Sequence, residues 1–168
     1  MLIIGFYFLS PTEFQTLSKH VASSVGFVSN IIYLRESGYF ESLSHEKWLL
    51  HTWSLSVEWQ FYLAYPLFLV ILKRFFSLSV VRRAILLGAI LGFFFSVYVT
   101  YFFPNYSYYA LPSRAWEMLA GGVAYLYPIY VKERYKKVLE SAGLLLIIFS
   151  CIFISKNTPW PGHLALFP

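Results

Sequence analysis

Between His51 and Tyr65 the chain places an imidazole, a hydroxyl, a carboxylate and two phenols at helical spacing. At about 100° per residue, His51, Ser54, Glu58, Phe61, Tyr62 and Tyr65 fall within about 100° of one another, whereas Gln60 points the opposite way. An imidazole ordinarily titrates near pH 6.5 and can move a proton at neutrality. A carboxylate two turns further along, about 10 Å down the axis, can hold a histidine or an arginine. Ser54 and Tyr62 can hydrogen-bond a polar substrate. Met-free and apolar from Thr52 to Leu72, the same segment is long enough to span a bilayer at about 1.5 Å per residue. Ionised groups inside such a span cost at least about 2.5 kcal/mol, so the polar stripe must face protein or water. His51 by itself reads equally well as an interfacial histidine that snorkels. Its company on the stripe points to a site.

Two further charged residues stand apart from that segment. Arg114 and Glu117 are three residues apart and share a helix face. They form a local ion pair, worth little if exposed, or Arg114 pairs with Glu58 or binds an anionic part of a substrate. Metal chemistry is disfavoured: a His-Glu-x-x-His motif starting at His45 would need a histidine where Leu49 stands. His45 and His51 without a further cluster are poor metal ligands. There is no glycine-rich phosphate loop and no Gly-x-Ser-x-Gly nucleophile elbow.

The elements that must position these residues follow from composition. Of 168 residues, 58% are hydrophobic and 12% charged, about half the charged share of a soluble domain. Aromatic residues near the ends of apolar runs suit the two interfaces of a bilayer. The expected fold is therefore all-α, a polytopic transmembrane helix bundle with spans at 52–72, 84–103, 115–130 and 138–154. Gly88-x-x-x-Gly92 gives the second span a small-residue face for close packing. The net charge of +5 sits between apolar runs, which is topology rather than a nucleic-acid footprint. Cys151 is the only cysteine, so no internal disulfide forms. The connector 73–83 carries four basic residues and no acid, and 132–137 carries four basic residues and Glu133. Both face the cytoplasm by the positive-inside rule, which puts 10–50, His51 and 104–113 on the extracytoplasmic side. Residues 1–9 read as the tail of a helix, and 10–50 as a polar loop in which Val21–Leu34 forms an interfacial or re-entrant helix. The whole is expected to be an interior piece of a larger membrane protein.

His51-Thr-Trp-Ser-Leu-Ser-Val-Glu-Trp-Gln-Phe-Tyr62 resembles the signature of the membrane acyltransferase 3 family, the O-antigen and polysaccharide O-acetylases. Arg114-Ala-Trp-Glu-Met-Leu-Ala-Gly-Gly122 resembles the family's second block, and Trp160-Pro-Gly162 its Pro-Gly element. Together they span most of residues 40–165, in order. Trp59 stands where many members carry a second glutamate. The resemblance implies an enzyme of about ten membrane helices in the bacterial inner membrane, of which this chain would hold about four. It would transfer acetyl from acetyl-CoA, with no metal, to a hydroxyl of a glycan or glycolipid such as lipopolysaccharide. The polar stripe and its outer-face placement, rather than the family, cast His51 and Glu58 as catalytic and Ser54, Tyr62, Trp53, Arg114 and Glu117 as substrate-binding; in the family the usual candidate for the catalytic base is the His of an Arg-x10-His motif. The family's Arg-x10-His motif is not found here, so the remaining helices of the same protein are expected partners. Two other readings stay open: a transporter or channel in which the His51–Glu58 stripe lines a proton or solute path, and a non-catalytic truncated remnant.

Overall fold

A computed structural model describes residues 1–37, 48–128, 130–154 and 158–166, and among them every regular element is helical. His45, considered above as a metal ligand, lies outside the described residues. The contacts divide the chain into two units, Met1–Ile71 with Tyr109–Leu111, and Leu72–Tyr108 with Pro112–Pro168.

In the first unit α1 (Leu2–Phe8) is followed by α2 (Pro11–Val25). The start of α2 is written in Ser10-Pro-Thr-Glu13. Ser10 caps the helix, its backbone N–H donating to Glu13 Oε2 at 2.8 Å and Glu13 N–H donating back to Ser10 Oγ at 3.4 Å. Pro11 then occupies a first-turn position where its missing N–H costs nothing. The expected single helix over Val21–Leu34 is corrected to two. The chain breaks at Gly26–Val28, where Phe27 has φ 53° and Val28 N–H turns back to Ser23 O at 2.9 Å. From there α3 runs Ser29–Glu36 and packs against α2. Leu17, His20 and Ser23 of α2 and Ser29, Asn30 and Tyr33 of α3 are the buried residues of this hairpin. Then α4 (Thr52–Phe75) begins, with Pro66 inside it.

The second unit contains α5 (Leu78–Phe102), α6 (Pro104–Tyr109) but for Tyr109, α7 (Leu111–Leu126) but for Leu111, α8 (Glu133–Phe153) and a closing 3-10 turn, His163–Leu166. The segment 104–113, expected between two spans, is mostly helical. Its end is tied inward by buried hydroxyls: Thr100 Oγ1 hydrogen-bonds Ser107 Oγ at 2.6 Å, and Ser113 Oγ donates to Ser107 O at 2.7 Å. Ser96 Oγ donates to Pro161 O at 3.2 Å, which fastens the Trp160-Pro-Gly162 turn to α5. Gly92 makes the close approach its spacing suggested, since a Cβ there would lie 3.0 Å from Trp116 Cβ of α7.

α4 and α5 are long and apolar enough to cross a membrane. Only 11% and 22% of their most apolar windows is buried, so their apolar surface faces outward, unlike the core helix of a soluble protein. The other two expected spans differ. α7 has 16 residues, about 24 Å against the roughly 30 Å of a hydrocarbon core. α8 begins in the charged run Glu133-Arg-Tyr-Lys-Lys137 and carries Glu140 one turn on. Neither is long and apolar enough by the same measure.

Two outcomes test this packing. Gly92→Ala is expected to destabilise the protein by roughly 1–3 kcal/mol, because Trp116 has to move. Gly88→Ala, whose Cβ would meet Leu119 Cδ1 at 3.6 Å, should change stability little. Thermal unfolding of the two variants in detergent measures the contrast.

Candidate active-site helix and its backing

The back of α4 carries three polar side chains one turn apart, and each meets the α2–α3 hairpin. Thr52 Oγ1 hydrogen-bonds Ser24 Oγ at 2.7 Å, and Ser56 Oγ hydrogen-bonds Ser29 Oγ at 2.7 Å. Gln60 Nε2 donates to Asn30 Oδ1 and to Phe27 O, both at 2.9 Å. Asn30 Nδ2 in turn donates to Tyr109 O at 3.2 Å. Val57 and Trp53 fill the apolar part of the same face, with Trp53 edge-on to Tyr109 at 5.3 Å between centroids. Phe27 stacks on Trp59 at 4.6 Å.

The expected stripe lies on the other side. His51 is exposed in the turn just before α4, and Ser54 Oγ donates to its carbonyl at 3.2 Å. Glu58 is half-buried, and its carboxylate has no hydrogen-bond or ion-pair partner among the described residues. Tyr62 is exposed, and Phe61 and Tyr65 stack on each other at 5.1 Å. His51, Ser54, Glu58 and Tyr62 therefore share a surface open to a ligand or to another helix. Trp53 does not join them. It is buried on the opposite face, about 140° round the helix from Glu58, so its place is in the packing of the first unit.

In the second unit Arg114 Nη1 and Glu117 Oε2 are 3.8 Å apart, the i,i+3 pair read from the sequence. The Arg114 guanidinium also lies 5.7 Å from the centre of the Tyr108 ring. Glu117 Oε1 is buried without a hydrogen-bond partner among the described residues.

Sequence reasoning passed over one charged cluster. His20 Nε2 and Glu36 Oε2 are 2.9 Å apart, and Lys19 Nζ holds Glu36 Oε1 at 2.8 Å. His20 is buried, against the Tyr33 ring at 4.9 Å. Burial alone would push the Glu36 carboxyl up, but hydrogen bonds from Lys19 and His20 and their positive charge hold it below its ordinary 4.5. Burial, and then the Glu36 charge, push the Tyr33 phenol up to about 12. The one sequence signal was His20 sharing a face with Leu17 and Ser24 on an amphipathic helix. A carboxylate with a lowered folded pKa stabilises fully above its unfolded value and loses that contribution as pH falls through the folded one. Glu36→Gln should therefore lower the melting temperature at pH 7, and its difference from the parent should be smaller near pH 3. Melting curves at both values decide it.

Exposure also separates the roles on α4. His51→Gln is expected to leave the melting temperature unchanged, whereas Trp53→Ala should cost about 3–5 kcal/mol.

A family model described as an acyltransferase domain matches residues 1–166. Among curated relatives, the peptidoglycan O-acetyltransferase OatA of Listeria monocytogenes is 28% identical over 95% of this chain and 28% of its own length. An uncharacterized protein of Haemophilus influenzae is 28% identical over 86% of this chain and 63% of its own. The O-acetyltransferase OatA of Staphylococcus aureus is 26% identical over 80% of this chain and 23% of its own. The chain thus spans less than two thirds of the length of each. No solved structure matches it.

Proposed function

Since the chain belongs to the acyltransferase domain family, we propose that it forms part of a membrane O-acyltransferase that esterifies a hydroxyl of a cell-surface polysaccharide. The observation that carries this reading is the front of α4. A carboxylate without a partner among the described residues stands between an exposed imidazole and an exposed phenol on one stripe of an apolar helix.

In this reading His51 receives the proton of the acceptor hydroxyl as its oxygen bonds to the acyl carbon, while the bond from that carbon to the sulfur of the thioester donor breaks and the departing thiolate takes up the proton. Glu58 holds the charged form of a histidine or arginine that completes the site. Ser54 and Tyr62 hydrogen-bond the acceptor. The acyl group is acetyl and its donor acetyl-CoA, as the resemblance implies. Peptidoglycan, the substrate in the name of the Listeria relative, is the first acceptor to try. The protein would be a multi-pass protein of the bacterial inner membrane, with α7 and α8 completing four crossings alongside other helices of the same protein. The basic connectors 73–83 and 132–137 would lie in the cytoplasm, and His51 at the outer face. An open cleft of about 610 Å³ lined by Arg82, Ala124, Tyr125, Leu126 and Pro128 would then face the cytoplasm, where its one cation suits a donor phosphate.

The test uses membranes containing the full-length protein and radiolabelled acetyl-CoA. Glu58→Gln is expected to cut transfer of label to peptidoglycan by at least about a thousandfold while membrane levels stay constant. Transfer at the parent rate would overturn the assignment of Glu58. Solute or proton flux without any label transfer by the parent would favour a transport path instead.

A further inference from the structure

The proposed chemistry depends on which way α4 is turned, and nothing within the helix sets that. Its front stripe and its three hydrogen-bonding residues lie on opposite sides. Thr52, Ser56 and Gln60 centre about 170° round the axis from the stripe that holds His51, Ser54, Glu58 and Tyr62. Sliding α4 by one residue against its backing would swing Glu58 by about 100°. Of the three contacts, the first two are between hydroxyls, and both Ser24 and Ser56 also bond carbonyls of their own helices. A hydroxyl rotates freely and can find another acceptor after a slip.

The third contact is different. Gln60 Nε2 reaches Asn30 Oδ1 and Phe27 O together, and Asn30 Nδ2 lies 3.4 Å from Gln60 Oε1. Asn30 is buried, so an unmatched amide there would cost about 1–3 kcal/mol. Phe27 meets Gln60 through a carbonyl aimed by a left-handed φ of 53°, a conformation that a bulky residue adopts only when its surroundings enforce it. Its ring is also stacked on Trp59, the residue beside Gln60. A planar amide with two acceptors at 2.9 Å and a strained carbonyl as one of them fits a single register.

We propose that Gln60 and Asn30 are positioning residues, an amide clasp that sets the rotation of α4 and so aims Glu58 at the acceptor. This rests on the proposed acyl-transfer reading for its consequence in catalysis, but the clasp itself can be measured without it. Neither residue touches substrate in this account. The clasp predicts a lower kcat with unchanged acceptor KM when it is broken, because the acceptor contacts survive and the carboxylate is misdirected.

Full-length protein in membrane vesicles, with Cys151 and any cysteine outside this chain replaced by serine, receives single cysteines at 54 or 58 on the front and at 57 on the back. With the clasp intact, a membrane-impermeant maleimide should label the front positions at least about tenfold faster than the back one. Gln60→Leu or Asn30→Leu should bring that ratio below about threefold and, in protein that keeps Ser54 and Glu58, lower kcat about tenfold or more at constant KM. The exchanged pair, Asn30→Gln with Gln60→Asn, should restore both, which simple loss of folding would not. Where Gln60→Leu fails to accumulate, Gln60→Glu keeps the volume and removes the donor. A front-to-back ratio that survives in these variants overturns the clasp, whatever the activity. A ratio that collapses as expected in a parent that transfers no acetyl supports the clasp and overturns the acyltransferase reading.

Discussion

Thr52, Ser56 and Gln60 can be covered only if each finds a hydrogen-bond partner, and the α2–α3 hairpin supplies one for every turn of α4 that it meets. A buried polar group left unmatched costs about as much as a typical hydrogen bond contributes or more, so the penalty for misalignment accumulates along the helix. This requirement decides which side of α4 is the back. The front is what remains, and it holds His51, Ser54, Glu58 and Tyr62. The hairpin has to be stiff for this to work, and it is clamped at its far end by the Glu36 carboxylate between Lys19 and His20.

The second unit solves a related problem with smaller groups. Ser96, Thr100, Ser107 and Ser113 are all buried, and each bonds a carbonyl or another hydroxyl within the unit. Small side chains allow close approach, and hydrogen bonds hold helices together where apolar contact with lipid would otherwise compete equally well. Gly92 against Trp116 serves the same purpose without a hydrogen bond. The result joins the start of α7, which bears Arg114 and Glu117, to the end of α5 that also fastens the Trp160-Pro-Gly162 turn. Two of the three stretches that resemble the acyltransferase family are thereby built into one unit.

Polar groups on these helices thus divide by what satisfies them. Those bonded inside the protein serve packing: Asn30, Gln60, the buried serines and the His20–Glu36 pair. Glu58, half-buried and unmatched among the described residues, is the group left for a partner that binds at the front. Arg114 pairs with Glu117 on α7 and also lies over the Tyr108 ring of α6.

Periodicity along one segment was enough to put His51, Ser54, Glu58 and Tyr62 on one stripe, to turn Gln60 away from it and to pair Arg114 with Glu117. Those are relations between residues within a few turns, and the 100° step of a helix determines them. The same locality identified α4 and α5 as apolar spans and Gly92 as a contact point. The Ser10-Pro-Thr-Glu13 cap is equally local, being four consecutive residues. Tertiary structure decided the rest. Glu36 finds His20 from sixteen residues away, and Gln60 finds Asn30 from thirty. No periodic pattern connects such positions. Trp53 went inward because Tyr109, brought from far along the chain, offered its ring a place to pack. Between Val21 and Leu34 the sequence specified helix-forming pieces, but the break at Phe27 exists because packing of α3 on α2 and the Gln60 amide favour a backbone shape that local preference disfavours. Helical phase is a local property and can be read from the chain; which face is covered depends on distant partners and appears only when the chain has folded.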